Sequence, residues 1–438
     1  MRSIENISRR KFLEGAAALG AVSMCPRALA AEAKKIQAPA KAVIQIWMWG
    51  GPCHIDTWDP KPEAGYDYCG PYAKPIKTNV DGLMVGQLMT ELAKCADKYS
   101  VIRSAKHGQF AHETAAYLVQ TGRMPGRYVY PCAGAVVSKF MGFDGGYKGV
   151  IPPYIVLTQP MGRFSEAGFL GTKYKPFATG SDPSRVPFAV EGIVAEGISN
   201  NRQQSRKDFL DKINLLKKAL NKTGELDKSA EAVDTAYNLV LGDAGKVFDV
   251  SGENNKIREL YGKNKIGNSC LIARRLVESG VPYVTINYGG WDTHKGHFQE
   301  MARSLPQMDR ALSGLLIDLA DRGLLSSTIV WCSGEFGRTP RISWEPPYCG
   351  GRGHWGDAYS VVLAGGGFKG GSVIGKTDSK GEQVVERPVY PGDVIGSIYA
   401  NLGISPDSTL TTPQGDNVRL IPESEGGLKS GGLLKEIM

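Results

Sequence analysis

Six histidines occur in the chain, and they fall in three regions: His54; His107 and His112; and His294, His297 and His354. The densest chemistry is the stretch 289–294, GGWDTH, where Asp292 stands two residues before His294, directly after an apolar run over 281–286. A carboxylate and an imidazole at the end of a buried strand suit a divalent cation, Zn, Mn, Fe or Ca, better than they suit packing. The pattern recurs along the chain. The apolar run 42–49 ends in Gly50-Gly51-Pro52 and leads to His54 and Asp56; the run 327–333 leads to Glu335 and Arg338; and GGRGHWGD carries Arg352, His354 and Asp357. Acids brought into one place raise each other's pKa unless a cation neutralises them, so convergence of these regions predicts a metal site. Two such ions would hold a phosphate or sulfate between them.

Bland readings stand beside these. His54 serves equally as a core histidine, Asp59 before Pro60 reads as a turn residue, and His297 as a residue on a helix surface. Arg338 and Arg352 either fork an anionic substrate or pair with the nearby acids.

Bringing these groups together requires strands that end side by side. Strands are expected over 42–49, 100–103, 153–157, 281–286, 327–333 and 360–363. Helices are expected over 113–120, 131–140, 268–279 and 393–402, and the spacing of Leu88, Leu92 and Cys95 suggests another over 86–98. The clearest helix carries Phe298, Met301, Leu305, Met308, Leu312, Leu315 and Leu319 at intervals of three and four, and Gly323 stops it. Alternating strands and helices predict an α/β fold with a mostly parallel central sheet flanked by helices, and ligands bind such sheets outside the carboxyl ends of the strands. Residues 162–264, irregular and then charged at helical spacing, are expected as an insertion at the sheet edge that serves as a lid. The main domain spans 41–425, after a linker over 31–40, and 426–438 reads as a tail.

The 438 residues are 42% apolar and 22% charged, ordinary for a globular protein. The formal charge is +8, but residues 1–30 hold five Lys or Arg against two Glu, and no dense basic tract with interleaved aromatics remains, which argues against a nucleic-acid partner. Ser8-Arg9-Arg10-Lys11-Phe12-Leu13, the weakly apolar run 15–25 and Ala28-Leu29-Ala30 resemble a twin-arginine signal peptide cleaved after Ala30. Such a signal implies folding before export, the twin-arginine export machinery as a partner, and a periplasmic or extracellular destination. No other stretch reaches the ~18 apolar residues of a membrane span, so stable membrane insertion is not expected. The seven cysteines after residue 30 are dispersed and read mostly as buried thiols, although Cys69 and Cys349 lie in loop-like sequence and could pair. Residues 370–377, GGSVIGKT, satisfy the Walker A pattern, but a phosphate loop must open a helix, and here Asp378-Ser379-Lys380-Gly381 continues as a turn. A glycine-rich hairpin is expected instead.

Taken together, GGPCHIDTWDPKP, HETAAYLVQTG, CLIARRLVESGVPYVTINYGGWDTH, GEFGRTP and GRGHW closely resemble the bacterial domain-of-unknown-function 1501 family over about residues 43–420. The resemblance implies kinship with the alkaline phosphatase and sulfatase superfamily: a mixed α/β sandwich with metal ligands at strand ends. In that order Asp56 matches the first ligand, Asp292 and His294 a pair, Glu335 the position of an Asp-His dipeptide, and His354 the last. Two departures stand out. The superfamily's Cys, Ser or Thr nucleophile stands ten residues before the Gly of a Thr-Gly pair, and counting back from Gly122 gives His112. His112 could ligate metal, act as base or be phosphorylated, and Thr114 is a substitute nucleophile nearby. Glu335 also stands alone where the superfamily has two groups, which makes a single ion with activated water an alternative to a two-metal site. The expectation is an exported, metal-dependent hydrolase of sulfate or phosphate esters, acting on an anionic small molecule or polysaccharide. Asp56, Asp292, His294, Glu335 and His354 would hold metal, with His112, Thr114 and Arg338 in catalytic roles. The competing expectation is a non-catalytic binding protein that keeps the fold without a standard nucleophile.

Overall fold

The structure, a computed structural model, describes residues 39–158, 166–180 and 245–438, with isolated positions between 182 and 212. The twin-arginine segment, most of the linker and most of the expected lid lie outside the described residues.

The molecule is organised on β1 (Ala42–Trp47), whose six residues are all buried. Parallel neighbours flank it on both sides, β5 (Tyr283–Asn287) and β6 (Thr328–Ser333). Strand alternation sends Ile44 and Ile46 into one core and Val43 and Trp47 into the other. A strand covered on both faces has no polar side to show, which is why AVIQIW reads as a continuous apolar run. Its one polar residue, Gln45, is satisfied by the hydroxyls of Tyr283 and Thr285, which donate to Oε1 at 3.2 and 3.0 Å.

Five further strands complete the eight-stranded sheet: β2 (Tyr99–Ala105), β3 (Tyr154–Leu157), β4 (Phe177–Ala178), β9 (Tyr359–Ala364) and β10 (Val373–Ile374), in the order β10-β2-β9-β6-β1-β5-β3-β4. Only β9 runs antiparallel to its neighbours β2 and β6, so the sheet is mostly parallel, as expected. A two-stranded hairpin, β7 (Gly337–Arg338) with β8 (His354–Trp355), stands outside the sheet after β6.

Helices cover both faces. On one side lie α3 (Lys265–Glu278) and α4 (His297–Asp321); on the other lie α1 (His112–Thr121), α2 (Ala133–Val137) and α5 (Pro391–Asn401). Asn264 caps α3 by accepting the Gly267 N–H at 3.0 Å. The stripe predicted for α4 is buried from Met301 to Leu319, and each such side chain contributes about 2 kcal/mol by leaving water.

Several expectations change. Residues 86–98 hold a 3-10 helix over Leu92–Lys98 in place of an α-helix, and its start is tied to α4 because Asp309 accepts the Glu91 and Leu92 N–H groups, each at 2.8 Å. Part of the expected insertion is sheet: β4 adds an edge strand beside β3. The segment 426–438 is no loose tail, since Leu434 and Ile437 are fully buried against the α5 face and Asp393 accepts Ser430 Oγ at 2.5 Å and the Gly431 N–H at 3.1 Å. Cys69 and Cys349 are free, the first buried with its thiol donating to the Lys61 carbonyl and the second exposed. The Walker-like stretch supplies β10 and then a strand, Lys376–Thr377, that pairs with Val384–Glu386, so it is the expected hairpin. No helix among the described residues is long and apolar enough to cross a membrane.

Candidate metal centre

Four elements meet at one place. The β1 end supplies Gly50, the β5 end supplies Asp292 and His294, the β6 end supplies Glu335, and α1 begins with His112. The β7–β8 hairpin sets His354 opposite Arg338. Two glycines let these loops touch. A Cβ on Gly50, at φ +107°, would lie 2.2 Å from the Asp292 nitrogen, and one on Gly351 would lie 1.8 Å from the His294 carbonyl oxygen.

The donor set is three imidazole nitrogens and a carboxylate. His354 Nε2 lies 2.9 Å from His294 Nε2 and 3.1 Å from Asp292 Oδ1, and His294 Nε2 is 3.0 Å from that same oxygen. His112 Nε2 approaches Asp292 Oδ2 at 3.3 Å. The remaining ring nitrogens settle the protons. His354 Nδ1 lies 2.6 Å from the Phe110 carbonyl and His112 Nδ1 lies 2.6 Å from Glu335 Oε1, and both oxygens can only accept. Each Nδ1 therefore carries hydrogen, and in the neutral ring each Nε2 presents a bare lone pair to an ionised carboxylate. Two acceptors at that distance repel unless a proton or a metal cation lies between them. Backbone-carbonyl and carboxylate partners on the far nitrogen are what metal-ligating histidines use to fix ring and tautomer.

The charges divide between the residues. Burial pulls the Asp292 carboxyl upward, but the Arg338 guanidinium, 2.8 Å away, outweighs it and holds the group below its usual value, so it is ionised. Burial and the same guanidinium push His294 down and keep it neutral. His112 is raised by its bond to Glu335, against the pull of burial, so without a metal its ring favours the imidazolium and Nε2–H donates to Asp292; a divalent ion on that face displaces this proton. The ligand atoms of His112, Asp292 and His354 lie within 4.8 Å of one another, and the residues present fit one divalent ion. Asp292 and His294 are 40% and 41% exposed, so the set opens to solvent. Beside it a pocket of about 390 Å³ is lined by Lys295, Gln299 and Arg303 as well as Asp292.

The other expected site residues are placed differently. Glu335 is fully buried, and its Oε1 is shared by His112 and the Gly50 N–H, so it stands behind His112. Arg338 is also fully buried; it donates to the Gly50 carbonyl at 3.0 Å, to the Arg352 carbonyl at 2.5 Å and to Asp292, so its guanidinium is fixed to protein and presents nothing to solvent. Thr114 is half-buried two residues after His112, about 200° around α1, and among the described residues no contact joins it to the set.

Asp56 belongs to a second, closed cluster. It is fully buried, its Oδ2 lies 2.7 Å from His297 Nε2 and 3.4 Å from Arg352 Nε, and Cys53 is beside it. Burial would raise this carboxyl, but Arg352 and His297 hold it down at about 2. His297, expected on a helix surface, is fully buried because α4 starts on it and turns its ring toward Asp56 in the loop after β1. Burial depresses it, leaving the ring neutral. Arg352 spends its donors on the Thr339, Pro340 and Tyr68 carbonyls. His54 is a core histidine bonded to the Gly381 carbonyl at 2.8 Å, and Asp59 closes a turn by donating its N–H to the His54 carbonyl at 2.9 Å while its carboxylate is a buried partner of Lys61, Arg103 and Thr377.

Sequence reasoning missed the support of the open cluster. His107 Nε2 donates to the Glu335 carbonyl at 2.7 Å, Trp49 stacks on His112 with ring centroids 5.3 Å apart, and Phe336 stacks on His354 at 4.6 Å. Their one visible signal was position, since each lies close to a strand end or to a histidine already singled out.

Solved structures align with most of the chain at low similarity. The lipoteichoic acid synthase LtaP of Listeria monocytogenes matches at 9% identity and a TM-score of 0.36, covering 87% of this chain and 75% of that one. The PsFucS1 sulfatase of Pseudoalteromonas sp. matches at 13% and 0.33, over 83% and 68%. The C-terminal periplasmic domain of EcEptC from Escherichia coli, described in complex with Zn, matches at 7% and 0.34, over 89% and 96%. Similarity at this level carries no activity to this chain. No curated protein matches the sequence significantly. The family profile of DUF1501, described as a protein of unknown function, spans residues 40–426, nearly all of the described fold and both histidine clusters, and the chain belongs to that family.

Proposed function

We propose that the chain is a metal-dependent hydrolase of phosphate or sulfate esters built on one divalent ion, with His112, His294, His354 and Asp292 as ligands. The observation that carries this reading is the meeting of three imidazole Nε2 atoms and an ionised carboxylate at a solvent-reachable strand end. A bound divalent ion supplies Lewis acidity toward an ester oxygen and the means to ionise water near neutral pH. The chain's own groups do the rest. Glu335 and the Phe110 carbonyl hold two rings in the ligating tautomer, and Arg338 keeps Asp292 ionised and aimed. Trp49 stacks on His112 and Phe336 on His354, which holds both rings in place on the side away from solvent-facing Asp292. Lys295, exposed beside Asp292, offers positive charge to an anionic substrate. The set consists of imidazoles and a carboxylate, which favours attack by water over a covalent enzyme intermediate. The reading includes export to the periplasm or exterior by the segment containing Arg9 and Arg10, and replacing both by Lys should retain the protein in the cytoplasm.

The test is elemental analysis of the purified protein followed by assays on aryl phosphates and aryl sulfates. One ion per chain with turnover that chelation abolishes is the expected result. An ion without turnover on a broad ester panel selects the binding protein, and a folded protein that takes up no ion sinks the site.

A further inference from the structure

The closed cluster is a hydrogen-bonded chain with a direction. The Asp56 carboxylate can only accept, so the 2.7 Å contact places hydrogen on His297 Nε2. That leaves Nδ1 of the neutral ring as an acceptor, and Thr293 Oγ1 stands 2.6 Å from it with a proton to give. The hydroxyl's other neighbour, the Trp291 carbonyl, is more distant at 3.3 Å. All three side chains are shut from water, with Asp56, His297 and Thr293 at 3%, 0% and 4% exposure. Arg352 grips both ends, through its guanidinium on Asp56 and through its backbone N–H on the Thr293 carbonyl at 3.1 Å.

What makes this more than core filling is where the chain ends. Thr293 lies between Asp292 and His294, in a loop with no helix or strand of its own, held locally by the Thr293 N–H on the Trp291 carbonyl and the His294 N–H on the Asp292 carbonyl. Longer-range ties reach the loop through its backbone, from the Trp291 N–H to the Trp49 carbonyl and from the Arg352 N–H to the Thr293 carbonyl, and they leave the Thr293 side chain as the one that fixes its rotation. The hydroxyl bond to His297 connects that residue to the first turn of α4 and, through Asp56, to the β1 loop.

We infer that Asp56, His297 and Thr293 form a positioning relay that sets the angle at which Asp292 and His294 meet a divalent ion. The inference rests on the proposed reading of those two residues as ligands. The relay touches neither ion nor substrate; it acts through the loop, as partners behind metal ligands do, and such partners typically alter metal affinity ten- to a hundred-fold.

The probe is Zn²⁺ affinity of the full chain by competition with a chromogenic chelator, read beside amide hydrogen exchange over 291–297 in metal-free protein. Thr293→Val keeps the shape and removes the hydroxyl; Thr293→Ser restores it. The expected result is a ten- to hundred-fold loss of affinity in the Val variant with faster exchange confined to the loop, an unchanged fold by circular dichroism, and recovery of both in the Ser variant. Equal affinity and equal exchange in wild type and Thr293→Val would overturn the relay. Loss of both in the Ser variant as well would also overturn it, since packing and not the hydroxyl would then be responsible. If the wild type binds no Zn²⁺ while exchange still separates Val from Ser, the metal reading falls and the relay stands as the device that orders the loop.

Discussion

Two clusters of similar composition lie at the strand ends. His112, Asp292 and His354 form one, and Cys53, Asp56 and His297 the other; each offers three ligand atoms within 4.8 Å. They differ in what the lone pairs meet. In the closed cluster the Asp56 carboxylate faces an imidazole N–H and a guanidinium, the other His297 nitrogen has a hydroxyl, and water is excluded. Positive charge is already supplied there by Arg352, and a cation entering would be repelled by it at close range in a low-dielectric interior. In the open cluster, three imidazole Nε2 atoms crowd one carboxylate with no guanidinium among them but Arg338 behind Asp292, and 40% of Asp292 reaches solvent. Residue type made both clusters candidates; proton bookkeeping separates the strut from the site.

The largest effect expected from this comparison is the loss of metal on changing one open-cluster ligand. His354→Ala should lower Zn²⁺ affinity by at least ~10³-fold, because it removes a direct ligand and leaves Asp292 facing fewer partners. Cys53→Ala should leave both stoichiometry and affinity unchanged, since burial pushes that thiol up to about 12 and it stays protonated. A second equivalent of bound metal that disappears in Cys53→Ala would reverse the assignment of strut and site.

His107 is a histidine of the closed kind behind the open site, and it allows a pH test. Its Nε2 donates to the Glu335 carbonyl and its Nδ1 accepts the Gln109 N–H at 3.0 Å, so protonation would break a bond. Burial depresses it to about 4, against the hydrogen bond to Glu335 that pulls the other way. The unfolded chain takes up a proton near 6.5, and the folded chain does so only near 4. The stability is therefore fully present above pH 6.5 and lost as pH falls through about 4, by up to about 3 kcal/mol. Denaturant melts of His107→Gln should show a flatter acid limb over that window whatever their stability at pH 7. A limb as steep as that of the wild type would mean that His107 is not held neutral.

The sheet was legible because its central strands are covered on both faces, so 42–49, 281–286 and 327–333 could be recognised from apolar content alone, as could the stripe of α4. The antiparallel entry of β9 between β2 and β6 was not, because strand order depends on contacts between residues hundreds of positions apart. Asp292 and Asp56 looked alike as carboxylates after strands. What distinguishes them is the register with which α4 begins: starting on His297, it turns that ring inward to Asp56 and leaves Asp292 and His294 on the open side. The Phe110 carbonyl that fixes the tautomer of His354 is a backbone atom and had no side-chain signature to find.

Glu335 gives the finest test of the comparison, because the family resemblance made it a ligand and the structure places it one step back. Glu335→Gln keeps an oxygen able to accept from both the Gly50 N–H and His112 Nδ1, so neither donor is stranded and the fold should hold. What is lost is the negative charge that strengthens the His112 bond and makes that ring a better donor to a cation. As a group acting through His112, Glu335 should cost about tenfold in Zn²⁺ affinity on this change, far less than His354→Ala. As a direct ligand it would exchange a charged oxygen for a neutral amide, and the loss would approach that of His354→Ala. Measuring the two variants side by side on the same chelator scale therefore tells a ligand from the group that orients one.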